Sequence, residues 1–137
     1  MSGIGLERID HIVFTVQSIE DTCAFYKRVL GLTVQAYGYG GAVRKSLHFG
    51  EQKINLHEAG SEFEPKAHRP APGAIDICFI TNTPIDEVIA HLDICEVAIV
   101  DGPGIRNGAI GKMRSVYFRD PDQNLIEVSN YAEAEVV

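Results

Sequence analysis

The chain has no tryptophan, only two methionines and only three cysteines in 137 residues. Cys23, Cys78 and Cys95 are odd in number and lack metal-ligand spacing, so neither a disulfide framework nor a thiolate zinc site is expected. Two of them lie inside apolar patterns, and all three read as reduced and mainly structural. No apolar run is long enough to span a bilayer, which argues against a membrane protein. The opening segment MSGIGLERID has no h-region, so a secretory signal is not expected either. Basic residues are the minority, 12 against 19 acidic ones, for a formal net charge of −7 and no basic run. That balance argues against a nucleic-acid surface or an anionic membrane partner. A cytoplasmic location is the expectation. What is present is ordinary: 45% apolar and 23% charged residues, in a length that fits one domain with a real core.

The stretch Asp10–Leu32 organises the rest. His11, Val13 and Thr15 alternate with Ile12, Phe14 and Val16, which is the period of a strand. Ser18 with Asp21 reads as a helix N-cap and its acidic partner. Ile19, Cys23, Tyr26 and Leu30 then form a helical stripe, which Gly31 ends. Strands are expected over Leu32–Tyr37, Val43–Phe49 and Lys53–His57. Gly38, Gly40 and Gly41 read as a hairpin turn and not a phosphate loop, since no Lys-Ser/Thr or helix follows. The polar stretch from Gly60 to Gly73 holds three prolines and reads as a linker, with His68 exposed in it.

The opening pattern then returns. Ala74–Ile80 alternates, Thr83 reads as an N-cap with Pro84 at the first helical position, and Ile85, Val88, Ile89 and Leu92 form a second stripe. Seven residues separate His11 from Ser18, and seven separate Asp76 from Thr83, which marks an internal repeat. A short strand over Val97–Val100, a loop over Asp101–Gly111, a strand over Met113–Arg119, a turn at Asp120–Gln123 and a strand over Asn124–Ser129 complete the second copy. The chain therefore reads as strand, helix and three strands, twice. Each helix covers one face of its sheet, and the other face must pack or enclose a cavity.

Four polar residues interrupt the apolar logic at the first and last strands of the two copies: His11, His57, Asp76 and Glu127. Their neighbours Ile12, Leu56, Ile75 with Ile77, and Ile126 with Val128 have the opposite parity, so all four are expected on faces away from the helices. Two imidazoles and two carboxylates suit a divalent transition metal: zinc, nickel, cobalt, manganese or iron(II).

The residues His11-Ile12, Phe14, Val16, Thr22, Phe25-Tyr26 and Leu30-Gly31-Leu32 resemble the lactoylglutathione lyase signature. The stretch YFRDPDQNLIEV, Tyr117–Val128, resembles the final hairpin of the glyoxalase/bleomycin-resistance/dioxygenase (vicinal oxygen chelate) superfamily. NLHEAGSEFEPKAHRPAPGAIDICFIT and FRDPDQNLIEVSNY are similar to the glyoxalase domain-containing protein 5 group and to bacterial virulence-associated glyoxalase-like proteins. The resemblance implies an α+β fold of two tandem βαβββ modules whose sheets curve around a metal-binding cup. On this chain that means one domain over 1–137, with module one at about 6–59, a linker at about 60–73, module two at about 74–131 and a short tail. The family's metal positions fall on His11, His57, Asp76 and Glu127.

The resemblance further implies a lyase or isomerase acting on a small oxygenated substrate, such as the hemithioacetal of an α-keto aldehyde with glutathione, through a metal-stabilised enediolate. Glu127 would be the base and Asp76 its rival. Arg44, Lys66, Arg69, Arg106, Lys112 and Arg114 are cations available for a thiol's carboxylates. His48 and Tyr117 have the parity of cup-lining residues. Chains of this kind are usually homodimers. Two departures stand out: glyoxalase I normally has His where this chain has Asp76, and often Glu where it has His57. The alternatives are another metalloenzyme of the superfamily, an extradiol dioxygenase or a thiol transferase, and a non-catalytic small-molecule-binding resistance module.

Overall fold

The computed structural model describes residues 3–39 and 42–131. The chain divides between Pro70 and Ala71 into two compact units, each a helix on a four-stranded mixed sheet. In unit one the elements are β1 (His11–Val16), α1 (Ile19–Leu30), β2 (Thr33–Tyr39), β3 (Ala42–Phe49) and β4 (Gln52–Glu58). The sheet order is β1, β4, β3, β2, with β1 parallel to β4. The alternation in β1 decides which face is buried. Phe14 and Val16 are wholly buried under α1, and Phe14 meets Tyr26 edge-on at 6.2 Å. Burying each such side chain contributes about 1.5–3 kcal/mol. Ser18 Oγ accepts from the Asp21 N–H at 3.1 Å, and Gly31 closes the helix at φ 69°, a conformation that a Cβ disfavours. Tyr39 pairs with Ala42 across the β2–β3 hairpin. The expected glycine turn falls in part on 40–41, outside the described residues.

Unit two repeats the plan with β5 (Asp76–Ile80), α2 (Ile85–Ile94), β6 (Ile99–Asn107), β7 (Lys112–Arg119) and β8 (Leu125–Tyr131), in the order β5, β8, β7, β6. Ile85 and Leu92 of α2 are buried with Val116, Phe118 and Ile126. Two expectations need correction. Thr83 does not cap α2: the cap position belongs to Pro84, which has no side-chain acceptor. Asn130 of β8 does the work instead, its Oδ1 accepting from the Ile85 N–H at 2.9 Å and its Nδ2 donating to the Thr81 and Thr83 carbonyls at 2.8 Å each. Nor is Asp101–Gly111 a loop throughout, because β6 runs on to Asn107. Pro103 is tolerated there because β6 is an edge strand and its register shifts between Ile99 and Asp101 and again between Asp101 and Gly104. At Gly102, φ +90°, an added Cβ would lie 2.5 Å from the Ser115 carbonyl oxygen, so only glycine fits. The expected tail lies at 132–137, outside the described residues. No described helix is long and apolar enough to cross a membrane.

Candidate functional site

The four expected ligands all have the parity of the faces opposite the helices, but strand register decides how far apart they stand. In unit two, Asp76 pairs with Leu125 and Cys78 with Glu127. Asp76 and Glu127 are therefore diagonal neighbours on adjacent strands, about 7 Å apart along the strand direction. In unit one, His11 pairs with Lys53 and Thr15 with His57. His57 is thus displaced from His11 by four residues along the strands, roughly 13 Å. The residue diagonal to His11, as Glu127 is to Asp76, is Asn55, which pairs with Val13. Among the described residues, no group of three or more His, Cys, Asp or Glu side chains is placed to hold a metal ion.

His11 is held by its neighbour. Its Nδ1 lies 2.8 Å from Asp10 Oδ1. That hydrogen bond, with the charge of Arg8, holds the Asp10 carboxyl below its ordinary range. With the carboxylate accepting from Nδ1–H, Nε2 keeps its lone pair on a side chain 46% exposed. A carboxylate behind an imidazole is the usual support of a metal-binding histidine. Asn55 offers an amide oxygen, Oδ1, that is buried without a hydrogen-bond partner. His57 is different: it is buried, and its ring packs against Phe63 at a tilt of 42°, with centroids 4.1 Å apart. Burial, then the charge of Arg44, lowers its pKa, so it is neutral at pH 7. His48 lies on the same face as His11, with Nε2 2.8 Å from Ser46 Oγ.

Glu127 sits in a network of small polar groups that the sequence did not announce. Ser129 Oγ donates to Glu127 Oε2 at 3.2 Å, and Ser115 Oγ lies 2.6 Å from Ser129 Oγ. Since Ser129 has one proton and gives it to Glu127, Ser115 must be the donor to Ser129. Cys78 Sγ lies 3.3 Å from Ser129 Oγ and donates to the Phe79 carbonyl at 4.0 Å. Desolvation and the Glu127 charge both push the Cys78 thiol up. Tyr117 faces Glu127 across the β7–β8 ladder, and burial followed by the Glu127 charge raises its pKa. Arg106 lies over the Tyr117 ring at 5.3 Å, paired with Asp101 at 3.2 Å. Parity did mark Ser115 and Ser129 as facing with Glu127, but nothing in their spacing marked them as buried. A separate cavity of about 470 Å³ opens in unit two beside the start of α2, lined by Ile80, Thr81, Pro84, Asp86, Arg114 and Tyr131, and none of the four expected ligands lines it.

Imidazole nitrogen, carboxylate oxygen and amide oxygen are each donor types that suit a borderline divalent ion. Glu127 is buried, and no described Lys or Arg makes an ion pair with it.

Comparison with known proteins agrees with this architecture. Residues 8–128 match the family model of the Glyoxalase/Bleomycin resistance protein/Dioxygenase superfamily. The chain is 51% identical over 126 residues to virulence protein STM3117 of Salmonella typhimurium, covering 92% of this chain and 85% of that protein. It is 46% identical to the glyoxalase domain-containing protein RDO1 of Mycosarcoma maydis, covering 96% of this chain and 73% of that one. Among solved structures, an integron cassette protein from the mobile metagenome of V. cholerae superposes with a TM-score of 0.89 at 47% identity, covering 94% of this chain and 98% of that one. At 22% identity and a TM-score of 0.68, the lactoylglutathione lyase of Agrobacterium tumefaciens shares the fold, as does an antibiotic binding protein, TnmS3, at 20% and 0.72.

Proposed function

Because the chain belongs to the glyoxalase/bleomycin resistance protein/dioxygenase superfamily, we propose that it is a divalent-metal-dependent lyase or isomerase of the lactoylglutathione lyase type. The observation that carries this is Glu127: a buried carboxylate supported by a hydroxyl and left without a cationic side chain. Burying a carboxylate is costly unless a positive charge compensates it, and a bound cation would. The side chains offered to such an ion are His11, backed by Asp10, in unit one and Asp76 and Glu127 in unit two, and within unit one the register favours Asn55 Oδ1 over His57 as the donor beside His11, since Asn55 is the counterpart of Glu127. The ion, when bound, would act as a Lewis acid toward two neighbouring oxygens of the substrate.

The chain's own part is proton handling. Glu127 Oε1 is the oxygen not engaged by Ser129, and it would receive the proton from a substrate carbon and return it to the next one. Ser129 fixes the carboxylate's orientation through the other oxygen. Asp76 is exposed on β5 and serves as ligand and not as base. Zinc, nickel, cobalt, manganese and iron(II) all suit such donors. The test is turnover of the methylglyoxal–glutathione hemithioacetal after metal is restored to stripped protein. Glu127→Gln is expected to keep the fold and lose about 10²–10⁴-fold in turnover, as for a lost general base. Unchanged turnover in that variant would remove Glu127 from the chemistry. Tight metal binding with no turnover of this or any related substrate would move the chain to the non-catalytic binding class.

A further inference from the structure

The cations of this chain differ in what already satisfies them. Arg106 is paired with Asp101 at 3.2 Å, Arg114 with Asp86 at 3.0 Å, and Lys66 lies between Glu62 and Glu64. Arg119 donates to the Gln123 carbonyl. Arg44 stands apart. Its guanidinium carbon lies 3.7 Å from the centroid of the Phe63 ring, its Nε is buried with no hydrogen-bond partner, and no described carboxylate pairs with it. A buried donor left unmade costs about 1–3 kcal/mol, so its persistence needs a reason.

The surroundings of Arg44 supply one. It lies in β3 opposite Tyr37 of β2 on the face away from α1. On its other side the β3–β4 register, which pairs Lys45 with Leu56, brings His57 alongside. Phe63 contacts both the Arg44 and the His57 side chains. The guanidinium therefore lies over an aromatic ring, with His57 and Tyr37 at the neighbouring strand positions on the same face. A guanidinium held in one plane matches a carboxylate through two parallel N–H···O bonds. Lys53, with Nζ 5.3 Å from the Tyr37 ring centroid, adds a second cation on this face, and only the planar guanidinium offers the paired N–H donors that match the two oxygens of a carboxylate.

We propose that Arg44, braced by Phe63, is an anchor for the carboxylate of a compact organic acid on the sheet face of unit one. The proposal rests on the enzymatic reading above for its place as a substrate subsite, and it narrows the substrate class to small molecules carrying a carboxylate.

The experiment is an NMR titration of the whole, EDTA-stripped protein at fixed ionic strength, following the Arg44 Nε–H resonance. The probes are lactate and its neutral isostere lactamide. Lactate is expected to bind saturably and to shift that resonance, with lactamide weaker by tenfold or more, the difference that loss of a charge-assisted hydrogen-bond pair makes. Arg44→Met is expected to weaken lactate at least tenfold, and Arg44→Lys to recover only part of it, because an ammonium cannot make the bidentate contact. If Arg44→Met does not fold, Arg44→Gln takes its place. Equal binding of lactate and lactamide, unchanged lactate binding in the variant, or no saturable binding by the wild-type protein would each overturn the proposal. The titration reads neither metal nor turnover. Its failure leaves the metal proposal standing, and failure of metal binding leaves this one standing.

Discussion

Glu127 is oriented by a directed chain of protons: Ser115 gives its own to Ser129, and Ser129 gives its own to the carboxylate. Ser129→Ala should therefore do two separable things. It leaves the buried Ser115 hydroxyl without its acceptor, costing about 1–3 kcal/mol of stability. It also frees the Glu127 carboxylate to rotate, and losing such a support typically weakens metal affinity about 10–100-fold. Competition against a fluorescent chelator reads the second effect, and unchanged affinity would show that Ser129 is mere packing. The candidate residues were only partly legible in the sequence, for a physical reason. Alternation reports which face a strand residue takes, and it gives His11, His57, Asp76 and Glu127 the parity opposite the helices. It does not report the row, which only strand pairing sets. His57 and Asn55 have the same parity, and the β1–β4 register alone shows that Asn55 stands where Glu127 stands in the other unit.

The two helices show why one cap could be read and the other could not. Ser18 caps α1 from three residues away, so a local motif revealed it. The acceptor for α2 comes from Asn130, 45 residues from Ile85, and no window on the sequence contains both. Asn130→Ala should strand the Ile85 amide and two carbonyls at once, for a loss of about 1–3 kcal/mol. Urea unfolding followed by circular dichroism measures this, tryptophan being absent. A midpoint equal to wild type would mean the α2 turn holds itself. Strand β6 was missed for a related reason. Its Gly102-Pro103-Gly104 run has turn chemistry, and only an edge position with two register shifts lets such residues stay in a sheet.

At the level of the whole molecule, the tandem βαβββ plan was visible from the repeat of pattern and spacing, because each unit builds its own helix-on-sheet core. We propose that the chain forms a homodimer. It is supported by apolar exposure on the edge strands: Val13 of β1 is 39% exposed and Ile80 of β5 is 51% exposed. Light scattering on the purified chain should give twice the 15.0 kDa protomer mass, and a protomer mass alone would refute it. The account stands or falls, though, on whether a cation compensates the buried carboxylate. The direct measurement is metal content per chain, by elemental analysis after loading and gel filtration, for wild type and for His11→Ala. The expected result is one divalent ion per wild-type chain and a clear loss in the variant. Equal occupancy in both, or no retained ion in wild type, would contradict the proposed centre.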